Sequence, residues 1–178
     1  MFLDLDCELC RLSKTREKVV APSGDLGSPV VFVGEAPGEK EDLSGKPFVG
    51  RAGKMLDRLL QDEGLDREKI MITNTVKCRP PANRRPKPEE VASCRPYLED
   101  ELRGRQLIVC LGRTACEGLL NNKVVMRDCA NQTFAIAVGR ERMDLIPTYH
   151  PSAALRNIDA REGLRLTIRM VKERFPDL

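Results

Sequence analysis

VVFVGEAPGEKEDLSGKPFVGRAGKMLDRLLQDEG, residues 30–64, opens on a continuous apolar run and closes on apolar residues at helical spacing. No polar residue interrupts Val30–Val33, so the run reads as a strand covered on both faces. Met55, Leu56, Leu59 and Leu60 mark one helical stripe, and Gly64 supplies a stop. Between strand and helix, repeated glycines and prolines keep the segment from forming one regular element. One aromatic, Phe48, sits inside that loop, although aromatics make up only 4% of the chain. Strand, glycine-rich loop and amphipathic helix form one β–α unit. The fold class turns on whether that unit recurs.

It recurs. Ile70–Val76 ("IMITNTV"), Leu107–Gly112 ("LIVCLG") and Asp144–Tyr149 ("DLIPTY") are further apolar runs. Pro88 opens "PEEVASCRPYLEDEL", with a proline and two glutamates where a helix start favours them. Pro96 within it predicts a break or kink near Arg95. "RTACEGLL" reads as a short helix, and "TFAIAVGRERMDLI" as strand, tight turn and strand. Asp159–Phe175 is the clearest helix: Leu164, Ile168, Val171 and Phe175 form an apolar stripe, and Arg161, Arg165 and Arg169 a basic one. This alternation predicts an α/β domain spanning residues 1–178, with a central, mainly parallel four-stranded sheet between helix layers. Ligands in such folds bind at the carboxyl ends of strands. The loops there are Glu35–Gly53, the segment after Val76 and the residues after Tyr149.

Composition narrows the class. At 178 residues and 20.0 kDa, with 41% apolar and 32% charged residues, the chain can bury a substantial core. No segment is apolar enough to span a bilayer, and "MFLDLDCELC" lacks the order of a signal peptide. The expectation is a cytoplasmic monomer without membrane attachment. Seven cysteines, an odd number, argue against a secreted disulfide scaffold and for a metal or cluster site. Cys7 and Cys10 form a CxxC pair, while Cys78 and Cys94 bracket a proline-rich loop. Four such thiols suit either Zn²⁺ or an iron–sulfur cluster, and spacing alone does not choose. Cys110 and Cys116 read as small core residues.

The loop "KCRPPANRRPKPEE" carries Lys77, Arg79, Arg84, Arg85 and Lys87, stiffened by proline, and suits a phosphate backbone. Three further residues have chemical potential. His150 is the only histidine and follows the last core run. Asn74 is an amide inside an apolar strand and demands a partner. Glu35 follows the first core strand directly, where a carboxylate could orient water. The glycine loop matches neither a P-loop nor a dinucleotide fingerprint, and the zinc deaminase pattern is missing.

"GEAPGEKED", "GKPFVGRAG", "NTVKCRPPANRRP" and "HPSAALR", in this order, resemble the bacterial and archaeal family 4 uracil-DNA glycosylases over nearly the whole chain. The resemblance implies the three-layer α/β/α fold of that superfamily and a structural [4Fe-4S] cluster on Cys7, Cys10, Cys78 and Cys94, with cluster-binding segments around residues 7–10 and 78–94. It assigns Phe48 to stacking on a flipped uracil, Asn74 to reading the base edge, His150 to the uracil carbonyl oxygen, and Glu35 to placing water. Ala36 occupies a small-residue position beside the site of attack. The "HPSAALR" segment, with Ser152, Leu155 and Arg156, resembles the loop that supports distorted DNA. Arg84 and Arg85 would meet phosphates. The implied activity is monofunctional removal of uracil from single- and double-stranded DNA, initiating base excision repair. The rival readings are a glycosylase of broader deaminated-base specificity and a noncatalytic iron–sulfur nucleic-acid binder using the Arg161–Arg165–Arg169 stripe.

Overall fold

The computed structural model describes residues 3–178. Its elements run β1 (Ser23–Gly24), β2 (Val30–Gly34), α1 (Glu39–Ser44), α2 (Arg51–Asp62), β3 (Met71–Asn74), α3 (Pro88–Leu102) and β4 (Leu107–Leu111). They continue with α4 (Arg113–Leu120), α5 (Met126–Cys129), β5 (Phe134–Val138), β6 (Glu141–Thr148), α6 (Pro151–Ala154) and α7 (Ile158–Arg174). The strand order is β1-β3-β2-β4-β6-β5. The pairs β2–β3, β2–β4 and β4–β6 are parallel, while β1 and β5 add antiparallel edges.

The four apolar runs are therefore the four parallel strands, but the sheet has six strands rather than four. β5 escapes notice as a full member because its burial alternates, as an edge strand half-facing solvent must. It joins β6 through a tight turn in which Gly139 takes φ 61°.

Alternate strand residues feed opposite cores. Val30, Phe32, Ile72, Leu107 and Val109 pack with Leu56 and Leu60 of α2 and Leu164, Ile168 and Val171 of α7. Val31, Val33, Met71, Ile108 and Cys110 pack with Leu98 and Leu102 of α3 and Cys116 of α4. Helices thus cover both faces, which explains the continuous apolar strands. α2 ends as expected, with Gly64 at φ 70° beyond the last turn.

Of the break or kink expected near Arg95, the break does not occur: α3 runs as one helix through Pro96. Pro96 faces solvent, while Cys94, Tyr97, Leu98 and Leu102 are buried. That burial offsets the roughly 3 kcal/mol cost of an interior proline. The basic stripe of α7 is also not a free surface. Arg165 pairs with Asp62 and Glu63, Arg169 with Glu63, and Arg161 donates to the Ala154 carbonyl. Among the described residues, no helix is long and apolar enough to cross a membrane.

Candidate active site at the carboxyl ends of the parallel strands

A cleft of about 470 Å³ opens where β2, β3, β4 and β6 end, and Glu35, Ala36, Phe48, Asn74, Gly112 and His150 line it. This size is usual for a small-ligand pocket. Gly34, paired in register with Asn74, ends β2 just before Glu35 of the cleft lining. A Cβ built on Gly34 would lie 2.4 Å from Asn74 Oδ1 and 2.5 Å from Phe48 Cζ. Glycine is required there because two side chains close over its Cα.

Phe48 is 4% exposed and takes φ 52°, left-handed for a non-glycine residue. Strain of that kind persists only when neighbours hold it. Glu41 Oε1 accepts from the amides of Val49 at 2.9 Å and Gly50 at 2.7 Å, just after the ring. Arg67 Nη2 donates to the Pro47 carbonyl at 2.8 Å, just before it. Gly53 lets the first turn of α2 close on the loop, since a Cβ there would fall 1.8 Å from the Phe48 carbonyl oxygen. The Phe48 and His150 rings are 5.8 Å apart between centroids and tilted by 37°. Glu41 and Arg67 escaped the sequence reading; a charged side chain that holds distant amides leaves no local pattern.

His150 caps α6. Its Nδ1 accepts from the Ser152 amide at 3.1 Å and contacts Ser152 Oγ at 2.8 Å. An accepting Nδ1 puts the proton of the neutral ring on Nε2. Burial pushes the His150 pKa down to about 4, against an opposing pull from Glu41. The ring is therefore a neutral donor through Nε2 at ordinary pH. Gly112, at φ 93°, passes close behind it: a Cβ there would lie 2.9 Å from His150 Cβ.

Asn74 is 3% exposed, and its Oδ1 is a buried acceptor without a partner among the described residues. An unmet acceptor lining a cleft is suited to a ligand N–H. Glu35 stands at the wall between this cleft and a second cavity of about 700 Å³ over α3 and α4. Thr114 also lines both. Ala36 lines the first cleft.

The expected phosphate contacts divide. Arg84 makes a bidentate pair with Glu90 at 2.8 and 2.7 Å, and Arg85 pairs with Glu117 at 2.6 Å. Lys77 is not part of a basic surface: it is 1% exposed and faces the interior. Ser152 and Arg156 are exposed, whereas Leu155 is half-buried. Arg51 and Arg113, both exposed, line the cleft mouth and were not singled out from sequence. Each opens a helix after a glycine, a signal that could have found them.

Cys78 and Cys94 are buried with Leu12, Val19 and Val76, and Cys10 packs against them. Burial, with Cys94, Cys10 and Cys7 nearby, pushes the Cys78 thiol up to about 12, while Arg16 pulls it down. A hydrogen bond with Cys7, together with burial, pushes the Tyr97 phenol up to about 12. The four thiols thus surround one region. Among the described residues, none of the His, Cys, Asp and Glu groups converge as a set for a single metal ion. Arg16 Nη1 is buried without a partner beside Cys78. Cys110 and Cys116 are buried core residues, as expected, and Cys129 is half-buried at the end of α5.

A mainly parallel α/β sheet with a cleft at its strand ends defines a class of ligand-binding domain. The family model described as "Uracil DNA glycosylase superfamily" matches residues 21–178. Several relatives bear the name type-4 uracil-DNA glycosylase. That of Thermotoga maritima is 44% identical over 85% of this chain and 79% of its own length. Those of Saccharolobus solfataricus and Archaeoglobus fulgidus are 40% and 39% identical, over 94% and 95% of this chain and 81% and 88% of theirs. The chain belongs to the uracil DNA glycosylase superfamily, in its type-4 group.

Proposed function

We propose that this chain hydrolyses the N-glycosidic bond of uracil in single- and double-stranded DNA, as a monofunctional glycosylase that starts base excision repair. The observation that carries the proposal is the meeting of Phe48, Asn74 and His150 around one cleft, with Phe48 and Asn74 closing together over Gly34. The names of the type-4 relatives support the substrate.

The chemistry follows from these groups. A base inside a duplex hides its glycosidic bond, so the nucleotide must be extruded at the cost of its stacking. Phe48 replaces part of that stack. The unmet Oδ1 of Asn74 is an acceptor that suits the N3–H of uracil; cytosine presents a lone pair at N3 and would be repelled. As the bond from C1′ to N1 breaks, negative charge spreads over the uracil ring and positive character over the sugar. His150 donates from Nε2 to the carbonyl oxygen where that charge collects. Glu35 orients the water that attacks C1′, leaving free uracil and an abasic site. Ala36 leaves room beside that atom. Ser152, Leu155 and Arg156 support the strand, and Arg84 and Arg85 meet phosphates only by exchanging their carboxylate partners. Arg51 and Arg113 join them at the mouth.

Cys7, Cys10, Cys78 and Cys94 would hold a [4Fe-4S] cluster. The donor set fits: four thiols from three segments, with the unpartnered Arg16 Nη1 poised to balance the negative charge of a thiolate-ligated cluster. When bound, the cluster supplies a structural clamp between the N-terminal segment and the loop after β3, and base removal requires no electron transfer. The single chain is proposed to act as a monomeric domain in the cytoplasm, where its free thiols suit a reducing environment.

Purified protein incubated with uracil-containing and undamaged oligonucleotides, then treated with alkali, tests the activity. Strand breaks only at uracil support it. Tight binding without product would support the noncatalytic binder instead, although that reading has lost the α7 arginine stripe to internal ion pairs.

A further inference from the structure

Lys77 is 1% exposed and stands between Asn74 of the cleft and Cys78 in sequence. All three protons of its ammonium find acceptors: Thr73 Oγ1 at 2.7 Å, the Asn74 carbonyl at 2.7 Å and Glu101 Oε2 at 2.6 Å. Thr73 Oγ1 donates in turn to Glu101 Oε2 at 2.8 Å, closing a triangle between β3 and α3. The main chain of the same residue reaches the other way. Its amide bonds the Cys94 sulfur, and its carbonyl accepts from Val20 at 2.7 Å.

A buried ion pair contributes little net stability, because desolvation of both charges offsets their attraction. Its retention at 1% and 10% side-chain exposure calls for another account. The geometry offers one. β3 ends at Asn74, and beyond it the chain turns through Thr75 and Val76, whose amides bond the carbonyls of Gly34 and Glu35. Lys77 Nζ donates to the Asn74 carbonyl at this last residue of the strand. The backbone of the amide that faces the ligand is thus anchored to a rigid helix through a fully satisfied cation.

We infer that Lys77 is a positioning residue for base recognition: its ammonium, held by Thr73 and Glu101, clamps the Asn74 carbonyl and so sets the angle of the Asn74 amide in the cleft. This rests on the uracil-excision reading above. A misplacement of about 1 Å at such a group costs on the order of 100-fold in rate.

The test is a double-mutant cycle between the clamp and Asn74. Lys77→Met/Glu101→Gln removes both charges, so that neither is left buried alone. Lys77→Met/Glu101→Leu is its apolar counterpart, should the first fold poorly. Iron content and thermal unfolding are measured as controls, with single-turnover excision and affinity for free uracil as readouts. The clamp variants are expected to keep iron and undamaged-DNA binding, and to lose about 10- to 100-fold in excision together with a parallel loss of uracil affinity. In an Asn74→Ala background the same substitutions should change excision less than threefold, because the clamp acts through Asn74. Additive losses in the two backgrounds would overturn the inference, as would unchanged excision and uracil affinity. Absence of excision by the unsubstituted protein would instead refute the glycosylase reading itself.

Discussion

The backbone amide of Ser152 donates to Nδ1 of His150 at 3.1 Å, so a residue two positions along the chain decides which ring nitrogen carries the proton. The bond also starts α6, with Pro151 at its first position. One contact therefore serves the fold and selects Nε2 as the donor facing the cleft. His150→Ala should lower single-turnover excision by about 10²–10³, the range for one lost oxyanion donor. Affinity for an abasic-site duplex should fall much less, since the leaving group is gone. Near-normal excision by a folded variant would remove His150 from the mechanism.

The pH dependence follows from the direction of the His150 shift. Its pKa falls from 6.5 to about 4 on folding because burial disfavours the charged ring. The unfolded chain therefore binds the extra proton first as pH drops. The stability linked to the neutral ring is present above about pH 6.5 and is lost as pH falls toward 4. Excision should show no His150 titration between about pH 5 and 8. Thermal unfolding from pH 7 to 4, compared with His150→Asn, reads the first effect, and a pH–rate profile the second. A rate step near pH 6.5 that disappears in His150→Asn would contradict this assignment.

Gly34→Ala tests the close packing of Asn74 and Phe48 over this glycine. The added methyl meets Asn74 Oδ1 at 2.4 Å and Phe48 Cζ at 2.5 Å, so both must move. Stability should drop by about 1–3 kcal/mol, as for overpacked sites. Excision should fall further than that cost explains, because the methyl displaces two recognition groups at once. Wild-type kinetics from this variant would show that Phe48 and Asn74 do not have to close on the glycine.

Glu41→Ala should release the loop after Phe48 by removing the acceptor for the Val49 and Gly50 amides. The left-handed Phe48 then loses one of its two anchors, and excision should fall about tenfold or more. Glu41→Gln, which keeps a side-chain oxygen for those amides, should recover much of it. If Ala and Gln behaved alike, charge rather than loop geometry would be the role of Glu41.

The arginines should separate by function. Arg156→Ala removes an exposed cation beside α6, and should lower DNA affinity at low salt and reduce the salt slope by about 1. Arg165→Ala breaks contacts to Asp62 and Glu63, and should reduce thermal stability while leaving the salt slope alone. Equal salt slopes for the two variants would restore α7 to the DNA-binding surface.

Anaerobically purified protein should contain about four iron atoms per chain. Cys78→Ala should lose iron and order around the N-terminal segment, whereas Cys116→Ala, in the core under α4, should keep it. Stoichiometric zinc without iron would sink the cluster assignment.

Much of this protein was determined by local sequence. Strands covered on both faces must be continuously apolar, so Val30–Gly34, Met71–Asn74, Leu107–Leu111 and the end of β6 are legible as a parallel sheet. The glycine loop with its one phenylalanine, the lone histidine after a strand and the amide at a strand end point to a site because each is costly without a ligand. Tertiary structure alone decided what each charge is for. Lys77, Arg165 and Arg169 look like a nucleic-acid surface in one dimension, and carboxylates distant in sequence bury the first and pair the other two. Glu41 and Arg67 look like ordinary surface charges, and only the folded loop shows them bonding to the backbone on either side of Phe48. Apolar burial repeats along the chain with the period of its own element, so it can be read locally. An ion pair or a clamp depends on which distant segment arrives beside it, and that is set only when the sheet has assembled.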